Sequence, residues 1–243
     1  MQNAAVPEIP YTAEAGISIE TATASEKFQD WLALVDRQRF QIRSIHFQSL
    51  DMFGKTKVGF IKFKADVVDA SGKFVPGIVF MRGGAVAILT VFHCKGTDYA
   101  VMTVQPRFCT GSFEFLEIPA GMLDGSGNFA GVAAIEMKQE LGIIIAESDL
   151  TDLTTAVGNP RGFYLSPGGS EETIRLFLYE KDVTDEEMST MQGRLGGEIS
   201  EGEQITLKII PFEDLWKVAD AKTVAAYTLY TKTRTTTSTE GKE

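Results

Sequence analysis

Histidine and cysteine are scarce in this chain, two of each among 243 residues. Cys94 and Cys109 are too few for a disulfide framework or a cysteine-rich zinc site, and they read as buried or half-buried thiols. A His-based zinc site or a Ser/His/Asp triad would have to commit both His46 and His93, and no partner motif accompanies either. Positive charge is also in short supply: 23 Lys and Arg face 33 Asp and Glu, a formal net charge of −10. That excess repels phosphate backbones and anionic lipid, so neither nucleic acid nor a membrane surface is the expected partner. No apolar run approaches the roughly 20 residues of a membrane span. No basic residue precedes Lys27, so the N-terminal stretch lacks the charged opening of a secretory signal and the arginines of a transit peptide. The expected setting is cytoplasmic.

What the chain does have is enough apolar residue for a sizeable core, 44% of the total. Residues 1–44 read as a loose lead-in ending in a short amphipathic helix around Phe28, Trp31, Leu32 and Leu34. Residues 45–82 read as a β-rich region, 83–233 as the main domain and 234–243 as a polar tail. Strands are expected at 46–50, 58–68, 75–81, 85–92, 99–104, 153–157, 174–179 and 205–210. A helix is expected over 130–141, stopped by Gly142. Residues 211–233 read as helix with a break near Asp220. Many strands with a few helices give an α/β or α+β fold with a mixed sheet.

The chemistry concentrates in residues 116–143, LEIPAGMLDGSGNFAGVAAIEMKQELGI. Ala120-Gly121 opens a loop that leads into a helix carrying Glu136 and Glu140. Four residues apart, both carboxylates stand on one helical face, one turn from each other. By itself such a pair is usually a solvated face. Like charges at this spacing cost stability unless a cation sits between them, and oxygen ligands suit a hard ion such as Mg²⁺ or Mn²⁺.

The stretch resembles the Nudix box, G-x5-E-x7-R-E-U-x-E-E-x-G-U, where U is bulky and apolar. Gly121, Glu136, Met137, Glu140, Gly142 and Ile143 fall on pattern positions without a gap. Glu117-Ile118-Pro119-Ala120-Gly121 is similar to the lead-in of the ADP-sugar branch of that family. Ser166-Pro167-Gly168-Gly169 and Asp220-Ala221-Lys222-Thr223 resemble later segments of the same branch, and 51–66 looks like its plant-type members. The resemblance covers about residues 45 to 233. Three positions depart from the box: Gly127 and Gln139 stand where it has Glu, and Ile135 where it has Arg.

The resemblance implies a Nudix α/β/α sandwich over 83–233 with an N-terminal β-rich region that helps build a homodimer. It implies hydrolysis of the diphosphate of a nucleoside-diphosphate sugar, such as ADP-glucose or ADP-ribose, to a nucleoside monophosphate and a sugar phosphate. The metal ligands it implies are Glu136, Glu140, Glu203 and the carbonyl of Ala120, holding Mg²⁺ or Mn²⁺. Glu136, Glu201 and Glu203 are the implied catalytic residues, the last two on a glycine-flanked loop where the family carries its later acids. Glu171 and Glu172 are the runners-up for that role. Gln105, Arg107, Glu117, Ser166, Gly168 and Gly169 are the implied substrate contacts. The alternative is a catalytically weakened Nudix scaffold that binds or assembles without turnover, which Ile135 and Gln139 favour.

Overall fold

The computed structural model describes residues 8–123, 127–197 and 204–240, with side chains as far as Arg234. The chain divides into two compact units. One comprises residues up to 84 together with 166–172, and the other comprises 85–165 and the residues from 173 onward.

The first unit is built on long antiparallel strands. It contains β1 (Tyr11–Ala13), α1 (Ile19–Ala24), α2 (Glu26–Leu34), β2 (Phe40–Phe53), β3 (Lys57–Asp69), β4 (Phe74–Val75) and β5 (Ile78–Met81). The sheet order is β1-β2-β3-β4, with β5 also on β3. Alternate residues of β3, Ile61, Phe63, Ala65 and Val67, are buried, as the period of two in a half-buried strand requires. They pack with Ile45 and Phe47 of β2 and with Phe28 and Trp31 of α2. The lead-in is less loose than its composition suggests. Ser18 caps α1 through its side chain (3.1 Å to the Thr21 N–H), and β1 pairs with β2 in parallel.

Segment 166–172 joins this unit by backbone and side chain. The Phe80 N–H donates to the Gly169 carbonyl (2.8 Å), and Ser170 bridges Phe80 in parallel. Glu171 accepts the N–H groups of Gly83 (2.5 Å) and Arg82 (3.2 Å), one on each carboxylate oxygen.

The second unit is a mixed sheet between helices. Its strands are β6 (Ala85–Cys94), β7 (Thr97–Arg107), β8 (Ser112–Glu117), β9 (Ala120–Met122), β10 (Thr151–Asp152), β11 (Phe163–Tyr164), β12 (Thr173–Asp182), β13 (Leu195–Gly196) and β14 (Ile205–Pro211). Its helices are α3 (Phe129–Leu141), α4 (Leu153–Ala156), α5 (Asp185–Met191) and α6 (Ala221–Glu240). The order is β10-β12-β6-β7-β14-β13, with β11 on β12, β8 on β7 and β9 on β6. β6 is buried almost throughout because helices cover both its faces. Ala87, Leu89 and Val91 face the cluster that includes Ala226 and Tyr230 of α6. Val86, Ile88 and Phe92 face the cluster with Val132, Ala133, Met137 and Leu141 of α3.

Residues 153–157 are a correction to the expected strand: Leu153–Ala156 is a helical turn. The Asp152 side chain accepts the Thr155 N–H (3.0 Å), so a cap overrides the β-branched composition. α5 was not anticipated, although Thr184 and Glu187 form a capping box at its start.

Candidate active site

α3 begins where Asn128 accepts the Gly131 N–H (3.0 Å) and ends at Gly142, which takes the left-handed conformation that lets a helix stop. Arg194 donates to the Leu141 carbonyl at the same end, where the helix dipole favours a cation. Between these ends Val132, Ala133, Met137 and Leu141 fasten the helix to the sheet. That orientation brings Glu136 and Glu140 toward the backbone of β9.

Glu140 is only 2% exposed and its Oε2 accepts the Ala120 N–H (3.2 Å). The carboxyl group of Glu136 lies across Gly121, so close that a Cβ at 121 would overlap its Oε1. A side chain at 121 would displace the Glu136 carboxyl group. Two carboxylates meet the Ala120–Gly121 backbone here, and the side-chain donors are oxygens. Such donors fit a hard divalent ion and suit a soft one poorly. Among the described residues no three His, Cys, Asp or Glu side chains converge as a ready metal cluster.

The departures from the box have separate places. Gly127 has φ of 70°, a backbone that favours glycine over the Glu of the pattern. Ile135 is 52% exposed. Gln139 is exposed, while its carbonyl accepts the Gly197 N–H (3.0 Å). Next to it, a Cβ at Gly196 would strike the Glu140 carbonyl oxygen. The chain leading into residues 198–203 is thus seated on the last turn of α3. Glu201 and Glu203 themselves lie outside the described residues.

Gln105 is 8% exposed at the end of β7, and Arg107 follows it. The Arg107 Nε donates to Glu117 Oε1 (2.6 Å). Burial opposes the charge on Arg107, but Glu117, and Glu140 farther off, outweigh it and hold the guanidinium above its ordinary value. Glu117, expected as a substrate contact, is 3% exposed with both oxygens taken, the second by Lys222. Lys222 also meets Asp220 (3.1 Å), and Asp220 accepts the N–H (3.2 Å) and hydroxyl (2.5 Å) of Thr223. The Ile118 N–H donates to the Thr223 hydroxyl oxygen (3.2 Å). The resemblance marks residues 220–223 in the sequence, but their ion pairs depend on β8 and α6 meeting in space.

Ser166, Gly168 and Gly169 are placed in the first unit with the 166–172 segment. Glu171 there accepts a backbone N–H on each oxygen, and Glu172 pairs with Arg82 (3.4 Å). A cleft of about 650 Å³ lies between β8 and residues 210–219, lined in part by Phe115, Leu116, Ile210 and Val218. It contains none of the expected site residues.

A helix bearing paired glutamates, seated on a mixed sheet against the Ala120–Gly121 strand, is the arrangement that the Nudix resemblance implies. A family model of the NUDIX domain matches residues 81–230. The chain belongs to the Nudix hydrolase family, whose members generally use divalent metal ions and act on nucleotide derivatives. It is 40% identical over 234 residues to a protein described as Nudix hydrolase 14, chloroplastic, from Arabidopsis thaliana, covering 90% of this chain and 75% of that one. A solved structure titled as an ADP compounds hydrolase shares the fold with a TM-score of 0.52 at 16% identity, covering 80% of this chain and 94% of that one. No helix among the described residues is long and apolar enough to cross a membrane.

Proposed function

We propose that this Nudix hydrolase cleaves the diphosphate of a nucleoside-diphosphate sugar, ADP-glucose or ADP-ribose among them, with Mg²⁺ or Mn²⁺ bound at Glu136, Glu140 and the Ala120 carbonyl. The observation that carries this reading is the pair of α3 carboxylates turned onto the Ala120–Gly121 backbone. The ion would neutralise the diphosphate and lower the pKa of water in its shell. Arg107, electrostatically coupled to Glu140, would contribute forked N–H donors to a phosphate oxygen. Glu201 or Glu203 would take the proton from the attacking water. In support, the chain entering their segment is docked on Gln139 and Glu140. Ser166, Gly168 and Gly169 are the further substrate contacts that the family resemblance implies. Hydrolysis would give a nucleoside monophosphate and a sugar phosphate. The named relatives, one a Nudix hydrolase and one titled for ADP compounds, are consistent with this substrate class.

The active form would be a homodimer through the first unit. In support, that unit carries an exposed aromatic row, in which Phe60 contacts both Phe53 (40% exposed) and Phe80 (43% exposed).

The second reading, a scaffold without turnover, is favoured by the exposed Ile135 at the box's Arg position. Phosphate release from a panel of nucleotide sugars, with and without Mg²⁺ or Mn²⁺, separates the two. Metal-dependent release is expected. In the same assay Glu201→Gln or Glu203→Gln should lower kcat about a hundredfold, within the range of a lost general base, with Glu198→Gln nearly silent. Binding of a nucleotide sugar with no turnover under any metal would establish the second reading instead.

A further inference from the structure

Arg107, Glu117, Lys222 and Asp220 form a line of alternating charge from the end of β7 to the start of α6. Glu117 and Lys222 are buried, at 3% and 8% exposure. A carboxylate beside an arginine commonly takes two parallel N–H bonds in a fork. Glu117 does not do so. Its Oε1 accepts only the Arg107 Nε–H, and its Oε2 is held by Lys222. No described residue hydrogen-bonds the two terminal amino groups of Arg107.

We propose that Lys222 is a positioning residue: by holding Glu117 Oε2 it confines Glu117 to the Nε edge of Arg107 and keeps both terminal amino groups for oxygens of the substrate's diphosphate. This rests on the assignment of Arg107 to the diphosphate made above. The start of α6 sets where Lys222 stands. Asp220 caps the helix through Thr223, and the Thr223 hydroxyl accepts the Ile118 N–H, one residue from Glu117. The C-terminal helix is thereby part of the binding apparatus although none of its side chains need touch substrate.

Without Lys222, Glu117 is free to swing both oxygens onto Arg107 and form the fork, withdrawing an amino group from phosphate. Lys222→Met should raise KM about tenfold or more, the size of a lost charge-assisted hydrogen bond, with kcat nearly unchanged. Lys222→Arg, which keeps a donor on Oε2, should stay near the parent. In an Arg107→Met background, Lys222→Met should add nothing to KM. A merely structural role would instead give independent, additive losses, and additivity in that double variant would overturn the proposal. If Lys222→Met does not fold, Glu117→Gln compared with Glu117→Gln/Lys222→Met carries the same test. Equal KM values support the proposal and a further rise overturns it. A parent chain inactive toward every nucleotide diphosphate tested would overturn the functional reading as well, whereas an active parent with additive variants overturns only the role of Lys222.

Discussion

Close approach at Gly121 separates stability from function at a single atom. A methyl group there meets the far end of the Glu136 side chain, which can swing away at little cost to the fold. Gly121→Ala should therefore leave the melting temperature nearly unchanged while displacing a proposed metal ligand. Loss of a metal's supporting group typically costs 10–100-fold, so activity should fall by about that much or more, with a weaker apparent Mg²⁺ affinity. Glu136→Gln should phenocopy it. Gly196→Ala offers the contrast, because its methyl would meet the Glu140 carbonyl oxygen, which is backbone and cannot swing. That variant should lose stability first. Metal titration of activity beside thermal melts distinguishes the cases, and full activity in Gly121→Ala would remove Glu136 from the metal site.

At the scale of elements, α4 shows a side chain choosing between strand and helix. Asp152 accepts from the Thr155 N–H and from the Thr154 and Thr155 hydroxyls, and it pairs with Arg175. Burial raises its pKa, but these donors outweigh burial and hold the carboxyl below its ordinary 3.8. A depressed carboxylate contributes stability that is whole above the unfolded value and is lost as pH falls through the folded one. Asp152→Asn should thus melt earlier than the parent at neutral pH. The gap should close as pH drops below about 3.8. A gap that is constant with pH would mean the charge is irrelevant there. This turn was illegible in the sequence because Thr154, Thr155 and Val157 carry strand composition, and Arg175, which pairs with the capping Asp152, lies on β12. Where periodicity was strong, elements could be read directly. α3 was expected over 130–141 and spans Phe129–Leu141, because Asn128 and Gly142 punctuate it locally. The paired glutamates were legible for the same reason, since helical spacing alone puts both on one face. The burial of Glu117 was not, because it depends on β8 and α6 meeting across more than a hundred residues of chain.

At the scale of the whole molecule, the proposed homodimer would rest on the aromatic row of the first unit. Phe53, Phe60 and Phe80 contact one another in sequence along the sheet, and Ile78 beside them is 59% exposed. Apolar side chains so arranged are more stable when covered. Light scattering should give the mass of a dimer, and Phe53→Lys/Phe80→Lys should shift it toward a monomer while circular dichroism stays unchanged. A monomer mass for the parent would overturn the dimer.

The placement of residues 166–172 also sets a timetable for the newborn chain. Residue 84 emerges from the ribosome 82 residues ahead of residue 166, the first of the segment that completes its unit. At synthesis rates of 5–20 residues per second that interval is roughly 4–16 s. Throughout it, Phe80, Arg82 and Gly83 wait for their partners Gly169 and Glu171. The unit that starts earlier along these residues is therefore completed late, and its β5 end stays uncovered until the second unit is more than half synthesised.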